Sequence, residues 1–273
     1  GAVRSAASGL ADALGFLTVL PVGRRNGLGT AFFPAVGLLM GAGLWATLSL
    51  PLPDLPRAAL ALVFWTLVDG GLHEDGWADC MDAALAPVSR ERRLEILRDP
   101  RVGAHGLTGT VLLLLVRFAA LAAVPPAAVV AAPVVGRWAM VLAPARFPAA
   151  RPGGLGARFA REASPGWASA TALLALGVAV LALVATGAPA ASSGWSAGLA
   201  GGPSGVGGWG PGIAAWVTAA EGVAGAALGG LAGGWILGAF LAVRFGGLTG
   251  DGYGAVGLAA EVVALWTFIP WGT

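Results

Sequence analysis

Apolar residues form seven long runs along the chain, separated by short polar or charged segments. The runs cover residues 31–50, 57–72, 107–124, 126–143, 167–187, 222–243 and 254–270. Each is close to the roughly 17 to 25 residues that a helix needs to cross the hydrocarbon core of a bilayer. Apolar and polar residues do not alternate within the runs, as they would in the strands of a membrane barrel. The pattern predicts an all-α integral membrane protein with about seven transmembrane helices, in a single polytopic domain over residues 1–273.

The composition agrees with this prediction. Of the 273 residues, 57% are hydrophobic and 11% are charged, whereas soluble domains contain about 25% charged residues. The formal net charge is only +2, and no motif indicates nucleic-acid binding. We therefore expect a lipid bilayer as a partner and no nucleic acid.

Arginine provides every basic side chain and is unequally distributed between the loops. With seven spans, 13 of the 16 arginines fall in the N-terminal tail and in the loops 73–106, 144–166 and 244–253, all on one side. Arg57 alone lies on the other side, and the remaining two lie within spans. Since basic loops stay in the cytoplasm, the tail and these three loops are predicted to be cytoplasmic. The uncharged, glycine-rich segment 190–212 is predicted to be a flexible external linker.

Acidic residues are concentrated at one edge of the membrane, in the segment GGLHEDGWADCMDAALAP at 70–87. Asp75, Asp79 and Asp82 are four and three residues apart, so they share one face of a helix. Their carboxylates repel one another, and a divalent cation would relieve that repulsion. Mg²⁺ binds carboxylate oxygens while also holding substrate phosphates. We predict a Mg²⁺ site formed by Glu74, Asp75, Asp79 and Asp82; the alternative is a solvated acidic helix end.

The next segment, RERRLEILRDPRVGAHG, contains groups suited to phosphate binding. Arg98 and Arg101 precede Gly103; arginine binds phosphate with two parallel hydrogen bonds, and glycine lets backbone N–H groups approach anionic oxygens. The alternative is that these arginines only set the membrane topology, which is the role expected of Arg90, Arg92 and Arg93. His73 is a candidate metal ligand or general base, or an interfacial histidine without a catalytic role.

Charged residues also lie inside predicted spans. Arg137 and Glu261 are each about seven residues from the cytoplasmic end of a helix, roughly 10 Å deep, and are predicted to pair; the alternative is contact with a substrate anion. Arg117 lies deeper and has no obvious partner. Glycines spaced by four residues between 225 and 238 are typical of close helix packing, either within the chain or in a homo-oligomer.

The segment GGLTGDGYGA at 246–255 carries a single acid, Asp251, between Gly250 and Gly252. The glycines leave room for a ligand to approach the carboxylate. The predicted topology places this loop on the same side of the membrane as the acidic helix. We therefore predict that Asp251 contributes to metal or hydroxyl binding; the alternative is a turn-forming aspartate.

Taken together, these segments resemble the cobalamin synthase (adenosylcobinamide-GDP ribazoletransferase) family. The resemblance rests on GGLHEDGWADCMDA followed by RRLEILRDPRVGAHG. It is extended by GFLTVLPV, FFPAVGLLMG, ARFPAARPGGLGARF and GGLTGDGYGA, and covers nearly the whole chain. Trp77, Cys80 and Ala83 stand where the family more often has Leu, Thr and Gly, and Asp69 is an unusual acid before the motif. None of these departures removes a carboxylate.

The resemblance implies a Mg²⁺-dependent enzyme of the bacterial inner membrane. It would transfer the adenosylcobinamide phosphate from adenosylcobinamide-GDP to α-ribazole, or to its 5′-phosphate, and release GMP. The catalytic candidates are His73, Asp82 and Asp251. The candidates for substrate binding are Arg98, Arg101, His105 and Arg151.

Two other functions remain open at this point. The CDP-alcohol phosphotransferases of phospholipid synthesis also use aspartates on helix faces, but Asp79 follows Ala78 where their signature has arginine. A transporter or channel would be expected to line a path across the bilayer with its acidic residues. The acidic residues here cluster at one edge instead.

Overall fold

The computed structural model describes residues 6–22, 27–187 and 211–269, and this part of the chain is almost entirely helical. Its α-helices are α1 (Ala6–Leu17), α2 (Phe33–Leu48), α3 (Asp54–Asp69), α4 (Leu72–Leu85), α5 (Arg90–Ile96), α6 (Ala104–Ala123), α7 (Ala131–Arg146), α8 (Gly154–Glu162), α9 (Pro165–Thr186), α10 (Pro211–Phe245) and α11 (Gly250–Thr267). Short 3-10 helices at Thr30–Phe32 and Pro126–Val130 lead directly into α2 and α7.

Five helical segments are long and apolar enough to cross a membrane. They are Thr30–Leu48, Ala104–Ala123, Pro126–Arg146, Pro165–Thr186 and Ile213–Phe245. The pair α3 and α4 adds a sixth if its two helices are counted as one broken span. The prediction of a multi-pass helical membrane protein is therefore confirmed, with five or six candidate spans among the described residues.

The acidic helix α4 leaves the axis of α3 at an angle of 88°. Two consecutive glycines produce this bend: Gly70 has φ 68° and Gly71 has φ 69°, a left-handed conformation that other residues rarely adopt. The N–H of Gly71 donates a hydrogen bond to the carbonyl of Thr66 at 3.0 Å, which closes the end of α3. The helix predicted to run to residue 72 thus ends at Asp69, and α4 takes a new direction.

The helix α11 lies at the centre of the bundle, against α4, α7 and α10. The seventh predicted span, at 254–270, coincides with α11, which is mostly buried and is not among the five segments above. Glycines bring α10 close to it: a methyl group on Gly230 or Gly234 would lie 2.7 or 2.8 Å from a carbonyl oxygen of α11. The glycine run therefore serves packing within the chain.

Two predictions concern residues that the structure does not describe. Arg4, Arg24 and Arg25 of the N-terminal tail lie outside the described ranges. The predicted external linker at 190–212 also lies outside them, except for its last two residues at the start of α10.

Candidate active site

The charged residues of α4 point to two sides of the helix. Asp75 is exposed, and Asp79 and Asp82 are half-buried. His73 and Glu74, by contrast, are only 3% and 7% exposed. An α-helix turns by about 100° per residue, so adjacent residues face different surroundings. The predicted acidic face is present, but Glu74 and His73 lie behind it.

The first turn of α11 brings the carboxylate of Asp251 close to this acidic face. A methyl group on Gly76 would lie 3.1 Å from the Cα of Asp251. The charges of Asp75, Asp251 and Asp82 all act against a negative charge on Asp79. In the described part of the chain, the side chains of Asp75 and Asp79 have no hydrogen-bond or ion-pair partner. Asp75, Asp79 and Asp251 thus form a group of neighbouring, mutually repelling carboxylates.

Asp82, the fourth aspartate, has a different set of partners. Its carboxylate accepts hydrogen bonds from the backbone N–H groups of Gly103, at 2.7 Å, and Gly106, at 2.8 Å. These two residues begin α6, whose first N–H groups have no partners within the helix. Asp82 therefore caps α6 from a distance and fixes the end of α4 against it.

A cavity of about 190 Å³ lies beside Asp251 and collects groups that favour anions. Arg98 and Arg151 line it together with the first turns of α8 and α11. Helix N-termini present free N–H groups and the positive end of the helix dipole, so they bind phosphate well. The cavity unites two arginines that were predicted to bind substrate, although 53 residues separate them in the sequence.

Backbone pairing between two loops explains why Arg151 lies near Asp251. The N–H of Ala150 donates to the carbonyl of Leu248, and the N–H of Leu248 donates to the carbonyl of Pro148, both at 2.8 Å. The guanidinium of Arg151 also donates to the carbonyl of Leu94 at 2.8 Å. These bonds join the loop before α8, the loop before α11 and the end of α5 at one edge of the cavity.

The electrostatics of the cavity follow from these short separations. Burial and the nearby charge of Arg98 lower the pKa of Arg151, while Asp251 opposes the shift. Burial raises the pKa of Asp251, and the charge of Asp75 raises it further; hydrogen bonds from its own backbone N–H and from the hydroxyl of Thr249, and the charge of Arg151, oppose the shift. The cavity therefore holds closely spaced charges of both signs.

Two of the predicted substrate-binding residues lie outside this cavity. Arg101 is highly exposed and donates two hydrogen bonds to Asp99, at 2.9 and 2.6 Å. His105 lines a separate apolar groove of about 480 Å³ between α4 and α6, beside Trp77 and Met81. The structure does not bring Arg101 or His105 together with Arg98 and Arg151.

The interior behind α4 contains a buried ionic network. The predicted pair of Arg137 and Glu261 is confirmed as a direct ion pair. Arg117, which had no obvious partner in the sequence, forms an ion pair with Glu74. Because Glu74 is committed to Arg117, it does not join the carboxylates of Asp75, Asp79 and Asp251.

His73 belongs to this interior as well. Its Nδ1 lies 3.3 Å from the carboxylate of Asp69, which also accepts a hydrogen bond from the N–H of Gly71 at 2.9 Å. The unusual acid before the motif thus holds the bend that leads into α4. An aspartate directly before two glycines was the signal in the sequence.

The roles of Arg90 and Arg93 were also missed by sequence analysis. The Nε of Arg90 donates to the carbonyl of Phe245 at 2.7 Å, at the C-terminal end of α10, where unpaired carbonyls attract a cation. Arg93 donates to the carbonyl of Ala86. Both were expected only to set topology, and no local sequence signal shows these backbone partners.

The carboxylates suit a hard cation that shares its coordination with a ligand. Among the described residues, no three His, Cys, Asp or Glu side chains are arranged to hold a metal ion by themselves. Mg²⁺ is usually held by only one or two protein carboxylates, with waters and substrate phosphates completing its shell. One or two carboxylates from the group Asp75, Asp79 and Asp251 would fit that mode, because they are hard oxygen donors and Asp251 lines a cavity suited to phosphate.

Comparison with known proteins identifies relatives over almost the whole chain. The family model described as cobalamin-5-phosphate synthase matches residues 9–269. The adenosylcobinamide-GDP ribazoletransferase of Roseiflexus sp. (strain RS-1) is 33% identical, over 94% of this chain and 88% of that protein. Its counterpart in Desulforamulus reducens is also 33% identical, over 95% of this chain and 94% of that protein. That of Pseudomonas putida (strain W619) is 41% identical over 59% of this chain and 73% of that protein.

No solved structure matches this chain. The sequence comparisons alone are sufficient to assign it, because the family model and two relatives span nearly its full length. The chain belongs to the cobalamin-5-phosphate synthase family.

Proposed function

We propose that this protein transfers the adenosylcobinamide phosphate from adenosylcobinamide-GDP to α-ribazole, or to its 5′-phosphate, and releases GMP. The names of its relatives support this reaction. The observation that carries it is the cavity lined by Asp251, where two arginines and two helix N-termini lie next to this carboxylate and its neighbours Asp75 and Asp79. A pyrophosphate substrate needs both kinds of group. The arginines and helix N-termini would neutralise its negative charge, and the carboxylates would bind a metal ion and accept a proton.

The positive part of the cavity would hold the pyrophosphate. Arg98 approaches from the turn after α5 and Arg151 from the loop before α8, so each can bind a different phosphate group. The free N–H groups at the starts of α8 and α11 supply further donors. Charge-assisted hydrogen bonds of this kind position the phosphates for in-line attack and stabilise charge in the transition state.

The carboxylates would act at the reacting phosphorus. A ribose hydroxyl of the acceptor attacks the phosphorus that bears the cobinamide, and a new P–O bond forms. The bond from that phosphorus to the bridging oxygen breaks, and GMP leaves with this oxygen. The hydroxyl proton passes to a carboxylate. Asp251 is placed for this because it is half-buried and lines the cavity, and Asp79 is the half-buried carboxylate next to it.

We propose Mg²⁺ as the cofactor; one or two carboxylates from the group Asp75, Asp79 and Asp251 would hold it, together with the substrate phosphates. When bound, Mg²⁺ would neutralise charge on the transferring phosphate and on the leaving group. Asp82, Glu74 and His73 would act indirectly, since their partners are groups of the protein itself. Arg101 and His105 lie outside the cavity, and their contact with substrate stays a prediction.

We also propose that the site lies on the cytoplasmic face of a bacterial inner membrane. The support is the distribution of arginine, with the acidic helix and both loops of the cavity in the arginine-rich segments. A count of seven crossings requires that α3 and α11 each cross the membrane. A homo-oligomer would need a contact surface other than Gly230 and Gly234, because these two glycines pack against α11 inside the chain.

A transfer assay tests the proposal. Purified protein in liposomes would be given adenosylcobinamide-GDP, α-ribazole and Mg²⁺, and both the corrinoid product and GMP would be followed. We expect product only when all three are present. Release of CMP from a labelled CDP-alcohol, with no corrinoid product, would instead support the phospholipid-forming alternative.

A further inference from the structure

A single buried arginine links the two helices that carry the proposed catalytic carboxylates. Arg117 extends from α6, is fully buried, and forms an ion pair with Glu74 on α4. Its other terminal nitrogen lies 3.9 Å from a carboxylate oxygen of Glu261 on α11. Glu74 directly precedes Asp75, and Glu261 lies on the same helix as Asp251.

A second buried arginine extends this link to the start of α4. Arg137 on α7 forms an ion pair with Glu261 and lies 3.8 Å from the carboxylate of Asp69. Asp69 holds the bend between α3 and α4 through Gly71 and His73. The orientation of α4 is therefore tied to α11 both at its first turn and at the bend that precedes it.

These charges are costly to bury, and no part of the proposed reaction uses them directly. Replacing a buried ion pair by apolar residues of similar volume is often neutral for stability, whereas removing one partner leaves an uncompensated charge. Several nitrogens of Arg117 and Arg137 have no hydrogen-bond partner among the described residues. A contribution to stability alone therefore does not explain why these charges are buried. The position of the acids does explain it, because each of them lies on α4, on α11 or at the bend before α4.

We infer that Arg117 is a positioning residue that sets the spacing between the acidic face of α4 and the first turn of α11. Arg137 fixes the bend before α4 to the same helix. This spacing would keep Asp75 and Asp79, which could hold Mg²⁺, beside Asp251 and the cavity. That purpose rests on the proposed function. The mechanical link itself does not.

Matched variants can separate positioning from stability. Glu74→Gln combined with Arg117→Met removes both buried charges together, so the protein should fold with a melting temperature near that of wild type. Arg117→Lys keeps the charge but loses the planar fork. The control is Asp54→Asn combined with Arg57→Met, which removes an ion pair of 2.5 Å at the opposite end of α3.

Two measurements on the detergent-solubilised full chain are informative without any substrate. Hydrogen–deuterium exchange reports local opening. In the double variant we expect exchange at least about tenfold faster in residues 72–85 and 246–254, with the other helices unchanged. Binding of Mn²⁺, followed by electron paramagnetic resonance, should weaken by at least about tenfold. The control should match wild type in both measurements.

The outcomes are distinguishable. Wild-type exchange in these two segments of a folded double variant would overturn the inference, as would faster exchange spread evenly over all helices. Failure of both the double variant and Arg117→Lys to fold would make the network a folding determinant only, and would also overturn it. If wild-type protein bound no Mn²⁺, the metal part of the proposed function would fail, and the exchange data would still decide the positioning role.

Discussion

Arg98 and Arg101 are three residues apart, yet the structure gives them different surroundings. Arg98 lines the cavity, whereas Arg101 is engaged by Asp99 on the surface, and this contact lowers the pKa of Asp99 to about 2. We predict that Arg98→Lys lowers kcat/KM by at least about tenfold, equivalent to about 1.4 kcal/mol in the transition state. Arg101→Lys should change it little. Steady-state kinetics of both variants test this, and equal tolerance would remove Arg98 from the phosphate site.

The raised pKa of Asp251 predicts a specific pH dependence. An ordinary aspartate protonates near pH 3.9, and Asp251 takes up its proton at a higher pH because of burial and the charge of Asp75. Metal ions bind the deprotonated carboxylate, so affinity should fall as pH decreases through this raised pKa. Mn²⁺ titrations over a pH series measure this affinity. In Asp251→Asn the pH at which the affinity falls should be lower than in wild type. An unchanged pH would contradict the role of Asp251 in metal binding.

Single-residue chemistry could be predicted well where it depends on local spacing. The shared face of Asp75 and Asp79 follows from their interval of four residues. The inward direction of Glu74 could not be predicted, because it depends on how α4 is rotated against α6. For the same reason the partner of Arg117, 43 residues away along the chain, was not found.

At the scale of elements, α5 is held in place by hydrogen bonds to backbone carbonyls. Arg90 donates to the carbonyls of Phe245 and Ala150, so it connects α5 to the end of α10 and to the loop of Arg151. We predict that Arg90→Gln lowers the free energy of unfolding by about 1 kcal/mol. Thermal unfolding in detergent measures this. Arg92→Gln is the control, because its pair with Glu95 is exposed and should contribute little; equal loss in both would contradict the role of Arg90.

The elements themselves were largely predictable, and their directions were not. Long apolar runs indicated most membrane helices, since their length must match the bilayer. The bend at Gly70 and Gly71 was missed because glycine permits, but does not require, a left-handed conformation. The pairing of Arg137 with Glu261 was predicted because both depths can be counted from helix ends.

At the scale of the whole molecule, the arginine distribution predicts that the site faces the cytoplasm. A cysteine introduced at Ser89, an exposed position after α4, should react with a membrane-impermeant thiol reagent only after the cells are made permeable. The native Cys80 is fully buried and serves as an internal unreactive control. Labelling of the introduced cysteine in intact cells, from the periplasm, would contradict the predicted orientation.

In the proposed reaction, carboxylates on α4 and α11, beside an anion-binding cavity, serve the transfer of a phosphate-linked corrinoid and the release of GMP. The most direct measurement is the ratio of GMP to corrinoid product in liposomes, for wild type, Asp79→Asn and Arg92→Gln. We expect one GMP for each corrinoid product in wild type and Arg92→Gln. Turnover of a folded Asp79→Asn should fall by at least about a hundredfold, as expected on loss of a proton acceptor. GMP release without α-ribazole, or wild-type turnover by Asp79→Asn, would contradict the claim.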